Sequence, residues 1–234
     1  MPGFARWALI AGIIGVVAVV PFLTYRYVFT HDKRLRVVVP GKVYRSGQMT
    51  APGFADAVAR FNIRTVVNLQ DEYPDPDISE GYFTAATIKE SALCRQLGVR
   101  YVHIAPDTLP RCSAAERRPQ AIDQFLALMD DPEAYPVLIH CRAGLHRTGV
   151  MVAIYRMEYE GWDMPAALHE VKKNGFGESA CVAANEYIDQ YVLRYRPGLR
   201  RVAWGGRELL VPKRFAPQAF LAPAKGGLLA EPRP

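Results

Sequence analysis

Cysteine is scarce in this chain, with 4 among 234 residues. Cys94, Cys112, Cys141 and Cys181 stand far apart and show no paired spacing. That excludes a zinc-finger arrangement and argues against a disulfide framework, which a chain of this size does not need. A reducing compartment is the default. No internal repeat is present, so solenoid and propeller architectures are excluded. Acidic residues are outnumbered, 23 Asp and Glu against 29 Lys and Arg, for a net charge of +6. A basic balance suits an anionic ligand and equally suits the surface of an acidic membrane. Charge alone therefore does not separate phosphate chemistry from nucleic-acid binding. Hydrophobic residues make up 50% of the chain. That is enough for one packed domain with extensions, although part of it lies in a single N-terminal run.

That run, Trp7 to Leu23, holds 17 residues without a charge, the lower end of what crosses a bilayer core. Trp7 at one end and Tyr25 and Tyr27 at the other suit the two interfaces. A cleaved signal peptide would have a shorter apolar core and a small-x-small site, and no such site follows Val20. An uncleaved membrane anchor is the expectation. Arg6 precedes the run, whereas Arg26, Lys33, Arg34, Arg36, Lys42 and Arg45 follow it. The excess of cations on the second side predicts a single-pass protein with its domain in the cytoplasm.

The pattern divides the chain into an anchor (1–24), a basic linker (25–40), a domain (41–196) and a Pro/Gly-rich basic tail (197–234). Within the domain, strands are predicted at Ile63–Leu69, Val99–Ile104 and Val137–His140. Helices are predicted at Pro52–Phe61, Ser79–Leu97, Ala114–Met129, Leu145–Tyr159, from Pro165, and over Val182–Tyr195. Ser113 and Glu116 form a capping box for the third of these. Such alternation implies an α/β fold, a mostly parallel sheet flanked by helices.

The informative segment is Val137-Leu-Ile-His-Cys-Arg-Ala-Gly-Leu-His-Arg-Thr-Gly149. A cysteine followed by five residues and an arginine is by itself a weak signal. Cys94 with Arg100 and Cys112 with Arg118 have the same spacing. Neither of those lies between a strand and a helix with a loop to cradle an anion, so both read as structural cysteines. Cys141 ends an apolar strand, Gly144 permits a tight loop, and Arg147 and Thr148 open a helix. Backbone N–H groups from Arg142 to His146 (through Ala143, Gly144 and Leu145) can then converge on one phosphate, helped by the helix dipole. The same field favours a thiolate. Arg147 supplies a planar fork for two phosphate oxygens. The Thr148 hydroxyl can reach the sulfur and ease its departure. His140 is expected to orient the loop, and Arg142 and His146 to add positive charge.

HCRAGLHRTG resembles the His-Cys-x5-Arg-Ser/Thr signature of protein tyrosine and dual-specificity phosphatases. The resemblance runs from about Lys42 to Tyr195, and Lys42–Gln48 (KVYRSGQ) looks like the opening strand of the compact atypical members. It implies a dual-specificity phosphatase-like fold, a phosphocysteine intermediate, no metal and no cofactor.

Such chemistry needs a general acid for the leaving group. Asp107, 34 residues before Cys141, follows one strand end at the edge where active groups collect. Asp71 and Glu72 follow another strand end and are the alternatives. Phosphorylated proteins are the first expected substrates and phosphoinositides or inositol phosphates the second. Leu145 stands where inositol-directed relatives carry a basic residue. No nucleic-acid partner is expected. The rival readings are a catalytically dead phosphate-binding module and, less well supported by loop length, a rhodanese-like sulfurtransferase.

Overall fold

The computed structural model describes residues 3–70, 75–81, 84–104, 118–176, 189–204 and 206–216. Helix α1 (Gly3–Arg26) carries the apolar run, and none of its residues is buried. It continues through a wider turn, Tyr27–His31. The whole helix, Gly3–His31, is long and apolar enough to cross a membrane.

The domain is built on a five-stranded sheet in the order β1-β2-β7-β3-β6. Its strands are β1 (Arg36–Val39), β2 (Val43–Ser46), β3 (Thr65–Asn68), β6 (Arg100–His103) and β7 (Val137–His140). Only β1 runs antiparallel to its neighbour; the β2–β7, β7–β3 and β3–β6 pairs are parallel. The central strand β7 is buried along its whole length, as a parallel strand covered on both faces should be.

Alternation sends successive side chains to opposite layers. Val43, Val67, Val137 and Ile139 pack with one group of helices: α4 (Gln120–Met129), α5 (His146–Tyr159), α6 (Met164–Lys173) and α7 (Asp189–Arg194). Tyr44, Val66 and Leu138 pack on the other face, with Phe54 and Ala57 of α2 (Ala51–Phe61) and Leu93 and Cys94 of α3 (Glu90–Gln96). The helix starts follow local chemistry. Thr50 and Asp163 cap α2 and α6 through their side-chain oxygens, each with proline in the first turn.

Three stretches differ from the sequence expectation. Arg36–Val39, expected in a linker, is the antiparallel edge strand, because Val38 turns inward and is buried. Ser79–Leu97, expected as one helix, instead begins at the end of β4 (Asp77–Ser79) and holds its antiparallel partner β5 (Thr87–Lys89) before α3. β-branched Ile78, Thr87 and Ile88 suit a pleated surface better than a helix. In the expected irregular tail, β8 (Leu199–Trp204) and β9 (Arg207–Pro212) form a hairpin. Buried Arg200 ties it to the domain, 2.8 Å from Asp130 and 2.7 Å from Glu158. The segment that holds Ser113 and Glu116, and that which holds Cys181, lie outside the described residues.

Candidate active site

Strand register decides which loops meet. Ser46 and Asn68 both pair with His140, and His103 pairs with Asn68, so four strands end level. Cys141 follows His140 at the centre of that edge. It is buried at 5% exposure, and its loop passes into α5, which has no side-chain cap at its N-terminus. An uncapped helix start leaves N–H groups for an anion.

Gly144 holds the loop's shape. Its φ is +72°, and a Cβ there would sit 2.5 Å from the backbone N of Gly47 and O of Ser46. Its N–H donates to Cys141 Sγ at 3.3 Å. Arg147, half-buried in the first turn of α5, donates to the Leu69 carbonyl at 3.3 Å. Thr148 is fully buried, and its Oγ1 has no hydrogen-bond partner among the described residues. Arg142 is exposed, and Ala143 and Leu145 are half-buried.

His140 and His146 part company. His140 Nε2 lies 2.7 Å from Glu90 Oε1 in a pair sealed from solvent. His146 packs edge-on against Phe176, and burial holds its pKa below the ordinary histidine value. His146 is therefore mainly neutral at pH 7 and does not supply the positive charge expected of it, so the charged side chains of the loop are Arg142 and Arg147. Cys94 is also buried, and burial followed by nearby Glu90 pushes its thiol up, out of the reactive range.

Asp71, Glu72 and Asp107 lie outside the described residues. The roots of their loops are described. Gln70 N–H donates to Asn68 Oδ1 at 2.9 Å, and the Gln70 carbonyl stands 3.1 Å from His103 Nε2. Both loops thus leave the edge that carries Cys141, one from β3 beside β7 and one from β6 beyond it.

A sequence profile described as the tyrosine phosphatase family matches residues 33–195. The chain belongs to that family. Among relatives it is similar to OCA1 of Mycosarcoma maydis, named as a candidate tyrosine-protein phosphatase, with 27% identity over 66% of this chain and 88% of that one. It is also similar to the inositol diphosphatase DSP3 of Arabidopsis thaliana, with 28% identity over 58% of this chain and 60% of that one. The solved Siw14 catalytic core shares the fold with a TM-score of 0.52, at 19% identity over 70% of this chain and 85% of that one. The profile starts at residue 33, eight residues before the domain start expected at Gly41.

Three residues that the sequence reading did not assign to the site border the loop. Arg45 of β2 is buried at 3% exposure, and its Nη2 donates to the Gly144 carbonyl at 2.8 Å. Burial pulls its pKa down to about 10. Arg34 Nη1 donates to the Ala143 carbonyl at 3.1 Å. Glu90 holds His140. Arg45 has a sequence signal, its place in the Lys42–Gln48 stretch that resembles the family's opening strand; Arg34 and Glu90 have none.

Proposed function

We propose that this tyrosine phosphatase family member hydrolyses phosphomonoesters through a phosphocysteine intermediate. The observation that carries the reading is Cys141 Sγ facing the Gly144 N–H at the uncapped head of α5, with Arg147 in the first turn of that helix. In the proposed sequence the Cys141 thiolate attacks phosphorus and the P–O bond to the leaving group breaks. Asp107 gives that oxygen its proton, with Asp71 and Glu72 as the alternative donors. The N–H groups of the loop and the Arg147 fork take the charge on the equatorial oxygens. Water, deprotonated by the same acid's conjugate base, then attacks the phosphocysteine and releases phosphate. The buried Thr148 hydroxyl is available to the departing sulfur.

Phosphotyrosine and phosphoserine/threonine proteins are the first substrates proposed, in keeping with the family. A phosphoinositide or inositol phosphate substrate is the second, supported by the likeness to an inositol diphosphatase. We further read α1 as a single-pass anchor with the domain in the cytoplasm, on its apolar length and the cations that follow it. A reporter fused after Pro212 that works only outside the cytoplasm would overturn that orientation.

The deciding experiment is turnover of an aryl phosphate by the full chain in detergent, beside Cys141→Ser and Arg147→Lys. The serine variant should lose turnover and keep oxyanion binding. The lysine variant should lose on the order of 10²-fold, since an ammonium lacks the bidentate fork. Turnover by Cys141→Ser defeats the nucleophile assignment. A panel of phosphopeptides, phosphoinositides and inositol phosphates then ranks the two substrate classes.

A further inference from the structure

The phosphate loop is gripped from behind by its carbonyl oxygens. The Arg142 carbonyl accepts from Gln48 N–H at 3.2 Å, the Ala143 carbonyl from Arg34 at 3.1 Å, and the Gly144 carbonyl from Arg45 at 2.8 Å. In a trans peptide the C=O of one residue and the N–H of the next point in opposite directions. Pinning these three oxygens outward turns the N–H groups of Ala143, Gly144 and Leu145 to the opposite side. The Gly144 N–H does face Cys141 Sγ.

Arg34 reaches its carbonyl from an unusual place. It stands three residues after the end of the N-terminal helical rod at His31. Both Lys33 and Arg34 have positive φ, 37° and 59°, a conformation that costs energy without glycine and persists where surroundings impose it. The surroundings are identifiable. The Lys33 carbonyl accepts from Gly47 N–H at 2.7 Å and the Thr30 carbonyl from Thr50 N–H at 3.2 Å. His31 is buried, its Nε2 3.1 Å from Asp56 of α2. The absence of a side chain at Gly53 lets the two backbones meet, since a Cβ there would stand 2.1 Å from the His31 carbonyl.

We propose that Arg34 and Arg45 are positioning residues that aim the anion-binding N–H groups of the loop, and that the segment joining α1 to the domain is part of the active site's mount. The proposal rests on the reading of this loop as the phosphate site. It makes the stretch after the helix more than a tether, because an element next to the bilayer-length helix sets the geometry around Cys141.

The test uses the full chain in detergent, with tungstate as the probe of the anion nest and thermal unfolding as a check of folding. Arg45→Met should weaken tungstate binding about tenfold or more, the loss expected when a charge-assisted hydrogen bond ceases to fix the loop. Arg45→Lys, which can still donate to the Gly144 carbonyl, should recover a large part of that loss. Arg34→Gln should shift affinity in the same direction by a smaller factor. If Arg45→Met does not fold, the half-buried Arg34→Gln decides alone. Wild-type tungstate affinity in the folded variants overturns the proposal. Tungstate binding needs no turnover, so a wild-type chain that binds it and hydrolyses nothing counts against the proposed function and leaves this inference standing.

Discussion

Glu90 Oε1 stands 2.7 Å from His140 Nε2, and neither side chain meets solvent. Glu90 opens α3 on one face of the sheet, while His140 ends β7 one residue before Cys141. The pair therefore links a helix start to the backbone next to Cys141. The second Glu90 oxygen and His140 Nδ1 have no partner among the described residues, so the contact between them carries the whole burden of satisfying both groups. Glu90→Ala strands His140 and should destabilise the domain by about 3 kcal/mol, the usual cost of breaking a buried pair. Glu90→Gln retains one hydrogen bond and should lose clearly less. Urea unfolding of the two variants beside wild type measures both; equal stabilities would show that the pair has no structural weight.

Gly144→Ala should be among the most damaging small substitutions in the molecule. The left-handed backbone is unfavourable for alanine, and the added carbon meets backbone atoms that cannot swing aside. A displaced loop spoils alignment, so kcat/KM on an aryl phosphate should fall by roughly 10²-fold. Normal initial rates would show that the loop tolerates a different path.

His146 makes stability depend on pH in a defined direction. Its folded pKa lies below the ordinary value of 6.5 because it is partly buried. The unfolded chain therefore binds the proton more readily, and stability falls as the pH drops through 6.5 and below. The melting temperature of the ligand-free protein should decline from pH 7.5 toward pH 5, on the scale of histidine titration. His146→Asn should flatten that part of the slope. An identical pH dependence in the variant would remove His146 from the account.

The choice of general acid is open to a leaving-group test. Asp107→Asn should slow a poorly activated phosphate ester by roughly 10²-fold and an ester of an acidic phenol far less. Asp71→Asn and Glu72→Gln should lack that dependence. Should the sensitivity follow either of the latter instead, the loop after β3 carries the acid.

Much of the candidate site was legible because its residues are local in sequence. Cys141, Gly144, Arg147 and Thr148 lie within one strand-loop-helix unit, and a short apolar strand followed by a glycine-bearing turn announces itself in sequence. The same locality made β3, β6, β7 and α5 readable to within a residue or two of the observed ends. Elements with a mixed pattern were not. Val38 is buried while Val37 is exposed, and a strand so short, preceded by cations, reads as a linker until β2 is placed beside it.

Consecutive residues encode the α/β alternation, the apolar helix, and the cysteine loop with its arginine, so each could be read from the chain alone. What surrounds that loop depends on long-range packing. Arg34 lies 109 residues from Ala143, Arg45 lies 99 from Gly144, and Glu90 lies 50 from His140. No local pattern announces such contacts; they exist because parallel strands end level and a helix packs on each face. Tertiary packing also set the direction of the shift at His146: its ring is partly buried and meets Phe176 edge-on, and burial lowers its proton affinity below the ordinary histidine value.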